Sequence, residues 1–318
     1  MTHTKEFYSR LQISLHDKTM AQNLIRDIRC LIKTTVKTKV KDTHGFTLHN
    51  VIFFSGQSNV VIISAYNDKF NGCAKVSSVG NIKDEFNIGK LVTGPCVMPI
   101  IDYFELDEPE RIDKRAAIVI PLYIRTLADW LRDYPALVFP PEDEIVALIL
   151  CGLSAVYSFA SRFICHHDIK LENIMMSKKR EFILIDFGAA TDYDHPEGGS
   201  EFTPGYSFAH STPSIQYDLN SLAITVARVI MNKRDKDLVD KNHLFQQLIK
   251  YQGRYPVATH MMELLKPCID VEMTISKLND ACIAVYEYAS NANPWVKEYP
   301  HLKIGEIKLK KNQLDLKW

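Results

Sequence analysis

The pattern of apolar and polar residues divides the chain into an N-terminal helical segment, a β-rich region and a longer helical region. Near the N-terminus, five apolar residues recur at helical spacing between charged ones: Leu24, Ile25, Ile28, Leu31 and Ile32. A basic stretch follows at 33–42. We expect a helix packed on the main domain and then a solvated linker. A docking or membrane-surface segment is the alternative.

The region that follows carries the signals of β-structure. Five runs of β-branched, aromatic or other apolar residues predict strands: 46–54, 60–66, 73–76, 97–106 and 116–123. The first two runs flank a turn-like SGQSN sequence, which predicts a hairpin, and a charged turn joins the last two. Residues 81–91 lie among these strands and have the apolar spacing of a short helix.

The second half of the chain is dominated by helical periodicity. Helical spacing recurs in six segments: 125–135, 144–164, 216–230, 242–252, 257–266 and 274–289. Residues 144–164 are apolar nearly all round, but Glu144, Arg162 and several serines interrupt them, so we expect a buried core helix rather than a membrane span. A small sheet followed by helices indicates an α+β protein, and 318 residues exceed what one core usually serves.

The amino-acid composition argues against several classes of function and location. Lys+Arg and Asp+Glu balance at 38 each, so no overall field recruits nucleic acid or an anionic membrane. The seven cysteines include no C-x-x-C pair, which favours reduced thiols in a cytosol-like compartment. The N-terminus lacks a signal-peptide pattern, and no apolar run reaches the roughly 18 residues of a membrane span. We therefore expect an intracellular protein, cytoplasmic or nuclear, and in a host cell if the chain is a viral or effector protein.

The candidate chemistry is concentrated between Cys165 and Gly188. Asp168, Lys170 and Asn173 lie within six positions, and Asp186 follows 18 residues after Asp168. Phosphoryl transfer from a nucleotide needs a carboxylate to orient the attacking hydroxyl and a lysine to neutralise the moving group. It also needs an amide and a second carboxylate to hold magnesium.

The sequence of this stretch is H-H-D-I-K-L-E-N followed by D-F-G. It resembles the catalytic loop H-R-D-x-x-x-x-N and the D-F-G element of protein kinases. The chain resembles a divergent eukaryotic-like Ser/Thr protein kinase. The resemblance implies a bilobal α+β protein-kinase-like fold, with a small antiparallel β-sheet N-lobe, a mostly α-helical C-lobe and ATP between them. The implied boundaries are an N-terminal helical extension at 1–44, the N-lobe at 45–121, the C-lobe at 122–290 and a lysine-rich tail at 291–318.

The resemblance also assigns roles in the C-lobe. Asp168 would orient the substrate hydroxyl and Lys170 would neutralise the γ-phosphoryl group, while Asn173 and Asp186 would hold Mg²⁺ on the phosphates of ATP. His166 and Phe187 are expected to be packing residues. Asp218 resembles the aspartate that ties a C-lobe helix to the catalytic loop, and a helix N-cap is its alternative role.

In the N-lobe, the kinase nucleotide loop aligns with Gly56 and Val61, although only its middle glycine survives. Lys75 is the implied partner of the α- and β-phosphates. Glu85 is its implied ion-pair partner, and Asp84 is a competing carboxylate. Tyr123 belongs to the implied connector that hydrogen-bonds adenine.

Lys170 is typical of Ser/Thr specificity within this family. A second indication is FTPGY at 202–206, where Thr203 would bridge Asp168 and Lys170. The resemblance thus implies ATP- and Mg²⁺-dependent transfer to Ser/Thr hydroxyls of protein substrates. The alternatives are a kinase-fold interaction module that binds nucleotide without efficient transfer, and a small-molecule kinase, which Lys170 and FTPGY oppose.

Three departures from the family pattern affect regulation. His167 replaces the arginine that gathers an activation-loop phosphate, and imidazole substitutes poorly for that bidentate cation. The activation segment, 189–202, is short. At the A-P-E position the chain has 208–210, Phe-Ala-His, and no arginine follows Arg254, so both members of the family's buried ion pair are absent. The first two departures suggest activity independent of loop phosphorylation.

Overall fold

The computed structural model describes residues 45–55, 60–67, 70–106, 115–133, 138–178, 180–193, 203, 206, 214–233, 243–270 and 273–299. The predicted helix near Leu24, the turn containing Gly56, the A-P-E position at 208–210 and the end of the tail from 300 lie outside these residues.

The chain forms two compact units. Of the described residues, the smaller comprises those up to Asn87 together with Pro99–Leu122, and the larger comprises Ile88–Met98 and those from Tyr123 onward. The smaller unit is built on a sheet and the larger mainly on helices, which is the distribution that the sequence pattern predicts.

The smaller unit contains a five-stranded antiparallel sheet. Its strands are β1 (Thr47–Ser55), β2 (Val60–Asn67), β3 (Phe70–Ser78), β4 (Asp102–Leu106) and β5 (Arg115–Pro121). Their spatial order is β1-β2-β3-β5-β4, so β1 and β4 are the edges. Helix α1 (Val79–Leu91) follows β3 directly and begins two residues before the predicted segment. The hairpin of β1 with β2 is confirmed, and so are the predicted strands, except that the strand predicted at 97–106 begins only at Asp102.

The larger unit combines short strands with helices. Its strands are β6 (Arg125–Thr126), β7 (Ile164–Cys165), β8 (Ile174–Lys178), β9 (Glu181–Leu184) and β10 (Thr191–Asp192). Its helices are α2 (Leu127–Asp133), α3 (Glu142–Ala160), α4 (Ile215–Ile230), α5 (Leu244–Ile249), α6 (Pro256–Asp270) and α7 (Ile275–Ala292). Short 3-10 turns occur at Leu171–Asn173, Phe187–Ala189 and Pro294–Glu298.

Helix α3 is the core of the larger unit. By length and composition it could cross a membrane, but 89% of its most apolar stretch is buried within the protein. It packs against α4, α6, α7 and β9. The prediction of a core helix is therefore confirmed. Glu142 at its first turn also accepts hydrogen bonds from the Val257 and Ala258 N–H groups, which satisfies free donors at the start of α6.

Local side chains fix where two helices begin. Thr126 Oγ1 accepts the Asp129 N–H at 3.0 Å and donates to the Asp129 carboxylate at 2.8 Å, so the two residues cap α2 reciprocally. Ser214 Oγ accepts the Tyr217 N–H at 3.2 Å and is the N-cap of α4. The alternative that Asp218 is that N-cap is therefore wrong, which leaves its carboxylate available to the preceding loop.

Candidate active site

The carboxylate of Asp168 is the centre of a polar network in the larger unit. Its Oδ2 lies 2.6 Å from Lys170 Nζ, and its Oδ1 accepts a hydrogen bond from Thr203 Oγ1 at 2.6 Å. Lys170 Nζ also donates to Thr203 Oγ1 at 2.8 Å. Thr203 thus bridges Asp168 and Lys170, as the FTPGY resemblance implied. Both charged side chains keep some exposure, 16% for Asp168 and 20% for Lys170, so they can still meet a substrate.

Asn173 completes this network from the 3-10 turn that follows the loop. Its Nδ2 donates to the Asp168 backbone oxygen at 2.9 Å and to Asp168 Oδ2 at 2.8 Å. The amide is therefore oriented by its nitrogen, and its Oδ1 is presented on the other side as a hard oxygen ligand. The residue is buried, which restricts the amide to this orientation.

The β8–β9 hairpin brings Asp186 to Asn173. Ile174 pairs with Leu184 across the hairpin, and the Ile185 N–H donates to the Asn173 carbonyl at 2.9 Å. The residue after Ile185 therefore lies at the same end of the hairpin as Asn173. Asp186 is partly exposed and has a left-handed backbone, φ 66°. Asp tolerates this region better than most residues, and such conformations cluster at functional sites.

Asn173 and Asp186 fit a magnesium site whose remaining ligands would be phosphate oxygens and water. Among the residues that the structure describes, no cluster of three His, Cys, Asp or Glu side chains could enclose a metal. Mg²⁺ commonly binds through one or two protein oxygens together with water and phosphate oxygens rather than in an all-protein cage. The Asn173 amide oxygen and the Asp186 carboxylate have the required chemistry, and the hairpin places both residues at the same end.

His166 links the Asp168 loop to the strand before Asp186. Its ring is fully buried and packs edge-on against Phe159 and Phe187, at centroid distances of 5.2 and 6.1 Å. Nδ1 accepts the Asp168 N–H at 3.3 Å, so the proton is on Nε2, which donates to the Ile185 carbonyl at 3.1 Å. His166 therefore positions the Asp168 loop, and its contacts with Phe159 and Phe187 agree with the expected packing role.

Asp218 anchors the same loop from α4. It accepts the backbone N–H of His166 at 2.7 Å and of His167 at 2.9 Å, and the thiol of Cys165 at 3.2 Å. Burial raises the pKa of this carboxyl, and the two backbone N–H donors partly offset that shift. The predicted tie between the helix and the loop is confirmed.

The side chain of His167 faces the protein interior. Its ring is 4% exposed and lies 4.3 Å from the Tyr217 ring. Burial lowers its pKa from 6.5, with weaker opposing effects of Asp218 and Asp168. Its Nδ1 has no hydrogen-bond partner among the described residues. A buried neutral imidazole cannot perform the phosphate-gathering role of the arginine that it replaces.

The smaller unit holds a second group of predicted residues. Lys75 Nζ in β3 lies 3.0 Å from Glu85 Oε1 and 2.8 Å from Oε2 in α1, with side-chain exposures of 11% and 3%. The neighbouring Asp84 is exposed. Glu85 is therefore the partner of Lys75, and the alternative of Asp84 is wrong. Lys75 and Glu85 belong to one unit, whereas Asp168, Lys170, Asn173 and Asp186 belong to the other.

Three further residues were predicted to contact the nucleotide: Gly56, Val61 and Tyr123. Gly56 lies outside the described residues. Val61 is in β2, paired with Phe54 and Val76, although the structure describes only its backbone. Tyr123 is partly exposed and directly follows the last residue of the smaller unit.

One contact was missed by sequence analysis. Arg228 of α4 is 2% exposed, and its guanidinium lies 4.6 Å from the ring centre of Tyr206 in FTPGY. Such a cation–π contact stabilises by about 2 kcal/mol or more when desolvated. It anchors the segment that also supplies Thr203. The only available signal was a charged residue inside the otherwise apolar 216–230 helix.

Comparison with known families decides what this geometry represents. A family model described as Protein kinase domain matches residues 62–285, more than two thirds of the chain. The chain belongs to the protein kinase family. This confirms the resemblance stated from its motifs. A kinase domain implies binding of ATP, and it explains why Lys75 and Asp168 occur in the same chain.

Curated relatives of this kinase are distant Ser/Thr kinases. It is 24% identical to Probable serine/threonine-protein kinase glkA of Dictyostelium discoideum over 62% of the chain and 42% of the relative. It is 28% identical to Sperm motility kinase 2B of Mus musculus over 49% of the chain and 33% of the relative. It is 31% identical to Serine/threonine-protein kinase 36 of Pongo abelii over 35% of the chain and 8% of the relative. The chain thus spans under half the length of these relatives.

A solved structure of vaccinia related kinase 3 shares the fold. It superposes with a TM-score of 0.53 at 14% sequence identity, covering 78% of this chain and 87% of that one. Together with the sheet and the helical unit, this confirms the predicted bilobal α+β kinase fold.

Proposed function

We propose that this kinase transfers the γ-phosphoryl group of ATP, in a Mg²⁺-dependent reaction, to Ser or Thr hydroxyls of protein substrates. The observation that carries the proposal is the assembled network in which Asp168, Lys170 and Thr203 contact one another within 2.8 Å. A scaffold without transfer activity has no evident need for a lysine, a carboxylate and a hydroxyl in this arrangement.

Asp168 receives the substrate hydroxyl. A carboxylate has about four lone-pair positions. Lys170 and Asn173 use Oδ2, while Thr203 uses Oδ1. One position on Oδ1 therefore remains to accept the hydroxyl proton as the oxygen bonds to phosphorus and the bond to the departing ADP oxygen breaks.

Lys170 neutralises the negative charge of the phosphoryl group, since its ammonium lies beside the attacking oxygen's position. Asn173 and Asp186 would hold the metal from the end of the β8–β9 hairpin. Mg²⁺ bound there would compensate the negative charge of the phosphates. In the smaller unit, Glu85 holds Lys75, whose ammonium is assigned to the α- and β-phosphates.

Substrate class and location follow from further features. Lys170 and Thr203 favour a Ser/Thr acceptor. The described cysteines are free thiols, which supports a reducing, intracellular compartment, cytoplasmic or nuclear, of the producing or a host cell.

The test is incubation of the full chain with γ-labelled ATP, MgCl₂ and a generic protein substrate, followed by phosphoamino-acid analysis. The expected product is phosphoserine or phosphothreonine, lost on chelation and in Asp186→Ala. The second candidate is an interaction module, favoured by the single glycine, Gly56, in the nucleotide loop. ATP binding by calorimetry without any transfer would support that module and contradict the proposal.

A further inference from the structure

The aromatic ring of Tyr206 is docked on helix α4 by a buried arginine. Tyr206 is 8% exposed, and the guanidinium of Arg228 lies 4.6 Å from its ring centre. Arg228 itself is 2% exposed, so water screens the contact little, and cation–π contacts are strongest when both groups are desolvated. A planar guanidinium also suits a ring face better than an ammonium does. The contact therefore restrains Tyr206 firmly against the helix.

A backbone hydrogen bond carries this restraint to Thr203. The Tyr206 N–H donates to the Thr203 carbonyl at 3.3 Å. The Thr203 hydroxyl accepts a hydrogen bond from Lys170 at 2.8 Å and donates one to Asp168 at 2.6 Å. The docked ring is thus three residues and one hydrogen bond away from the hydroxyl that bridges the lysine and the carboxylate.

Helix α4 holds both sides of this bridge. Asp218 of α4 accepts two backbone N–H groups of the loop that carries Asp168. Arg228 of the same helix holds Tyr206 on the other side. Asp218 and Arg228 are ten residues apart, which is about 15 Å along the axis of an α-helix. Because the helix is rigid, Arg228 fixes where the segment of Tyr206 lies relative to the loop.

The sequence lacks the ion pair that anchors this segment elsewhere in the family. Residues 208–210 are Phe-Ala-His instead of A-P-E, and no arginine follows Arg254. Arg228 lies in the last turn of α4, where the helix dipole favours a cation. An exposed side chain would obtain that benefit too, whereas burying a charge is costly unless it finds partners. The dipole alone therefore does not account for a buried arginine against the ring of Tyr206.

We propose that Arg228 is a positioning residue for phosphoryl transfer and acts through Tyr206 on Thr203. It takes the place of the family's ion pair as an anchor of the segment that supplies the bridging hydroxyl. The effect on turnover rests on the proposed function. The anchoring itself can be measured without turnover.

The test compares Tyr206→Leu with Tyr206→Phe in the full chain. Leucine keeps apolar bulk but removes the ring, whereas phenylalanine keeps the ring that the guanidinium contacts. Tyr206→Leu should lower kcat/KM for a protein substrate about tenfold or more, since small misplacements of reacting groups are costly. Tyr206→Phe should stay within about threefold of wild type. ATP affinity, measured by calorimetry, should stay within about twofold in both variants, because the contact positions the bridging hydroxyl rather than the residues assigned to the nucleotide.

The matched control is a second cation–π pair of the larger unit. The guanidinium of Arg254 lies 4.3 Å from the ring centre of Phe139. Phe139→Leu removes that ring without touching the bridge, so kcat/KM should stay within about twofold of wild type. A loss as large as that of Tyr206→Leu would show a general effect of removing such a ring and would overturn the proposal.

Hydrogen exchange provides a readout that does not depend on activity. Exchange in the peptide that contains 203–206 should accelerate about tenfold or more in Tyr206→Leu and in Arg228→Met, but not in Phe139→Leu. If the wild type transfers no phosphate while this acceleration occurs, the proposed function fails and the anchoring is supported. Unchanged exchange in both variants, or equal kcat/KM for Tyr206→Leu and Tyr206→Phe, would contradict the role of Arg228.

Discussion

Replacing Asp218 by asparagine should loosen the loop that carries Asp168 without deleting any atom from the loop itself. The carboxylate accepts two backbone N–H groups and one thiol, all buried. Asparagine keeps one oxygen, so its Nδ2 must face a donor. A charge-assisted hydrogen bond contributes about 1.5–3 kcal/mol, and an unsatisfied buried donor costs about 1–3 kcal/mol.

An opposing effect limits the loss. Burial raises the pKa of Asp218, which shows that the charged form is desolvated at a cost that neutral asparagine avoids. We therefore expect Asp218→Asn to lower the free energy of unfolding by about 2 kcal/mol, rather than by the 4 or more that the hydrogen bonds alone would suggest. Urea denaturation should show a lower midpoint with an unchanged slope.

The matched control is Asp133→Asn. Asp133 pairs with Arg125 at 2.6 Å, but its side chain is 66% exposed. Exposed pairs contribute about 0–1 kcal/mol, so this variant should unfold close to wild type. If Asp218→Asn were as stable as Asp133→Asn, the claim that this carboxylate holds the loop would be refuted.

Three further predictions concern the network, the ion pair and the buried histidine. Thr203→Ala should lower kcat/KM about 10–100-fold because Asp168 and Lys170 lose the hydroxyl that holds them in place. Thr203→Ser keeps a hydroxyl and should retain most activity. Equal effects of the two substitutions in steady-state assays would contradict the bridging role of Thr203. Glu85→Leu should lower the free energy of unfolding by about 3 kcal/mol because the buried Lys75 loses its ion-pair carboxylate. Adding Lys75→Met should restore at least half of that loss. Purely additive effects in the double variant would refute the coupling between the two residues. Burial lowers the His167 pKa, so the unfolded state binds more protons than the folded state just below pH 6.5. The free energy of unfolding should therefore decrease as the pH is lowered below 6.5. His167→Phe should flatten that part of the urea-midpoint profile, and an unchanged profile would exclude this origin.

The motifs from Cys165 to Gly188 were sufficient to predict the residues that the structure gathers in the larger unit. Their positions follow from short-range order: a loop, a turn and a hairpin place Asp168, Asn173 and Asp186 by local geometry. The choice between Asp84 and Glu85 was different. It depends on the phase of α1, and a start at Val79 turns Glu85 toward Lys75 and Asp84 toward solvent.

Some long-range contacts could not be predicted, because no motif carried them. The stacking of Arg228 on Tyr206 joins two segments whose spacing carries no periodic signal. The inward orientation of His167 depends on its left-handed backbone, φ 66°, and on the ring of Tyr217.

Phosphate transfer by wild type and by Asp168→Asn, measured by mass spectrometry of a protein substrate, tests the central claim most directly. The account predicts phosphoserine or phosphothreonine from wild type, a loss of about 10²–10⁴-fold in the variant, and ATP affinity within about twofold. Equal transfer by both proteins, or none by either while ATP binds, would contradict it.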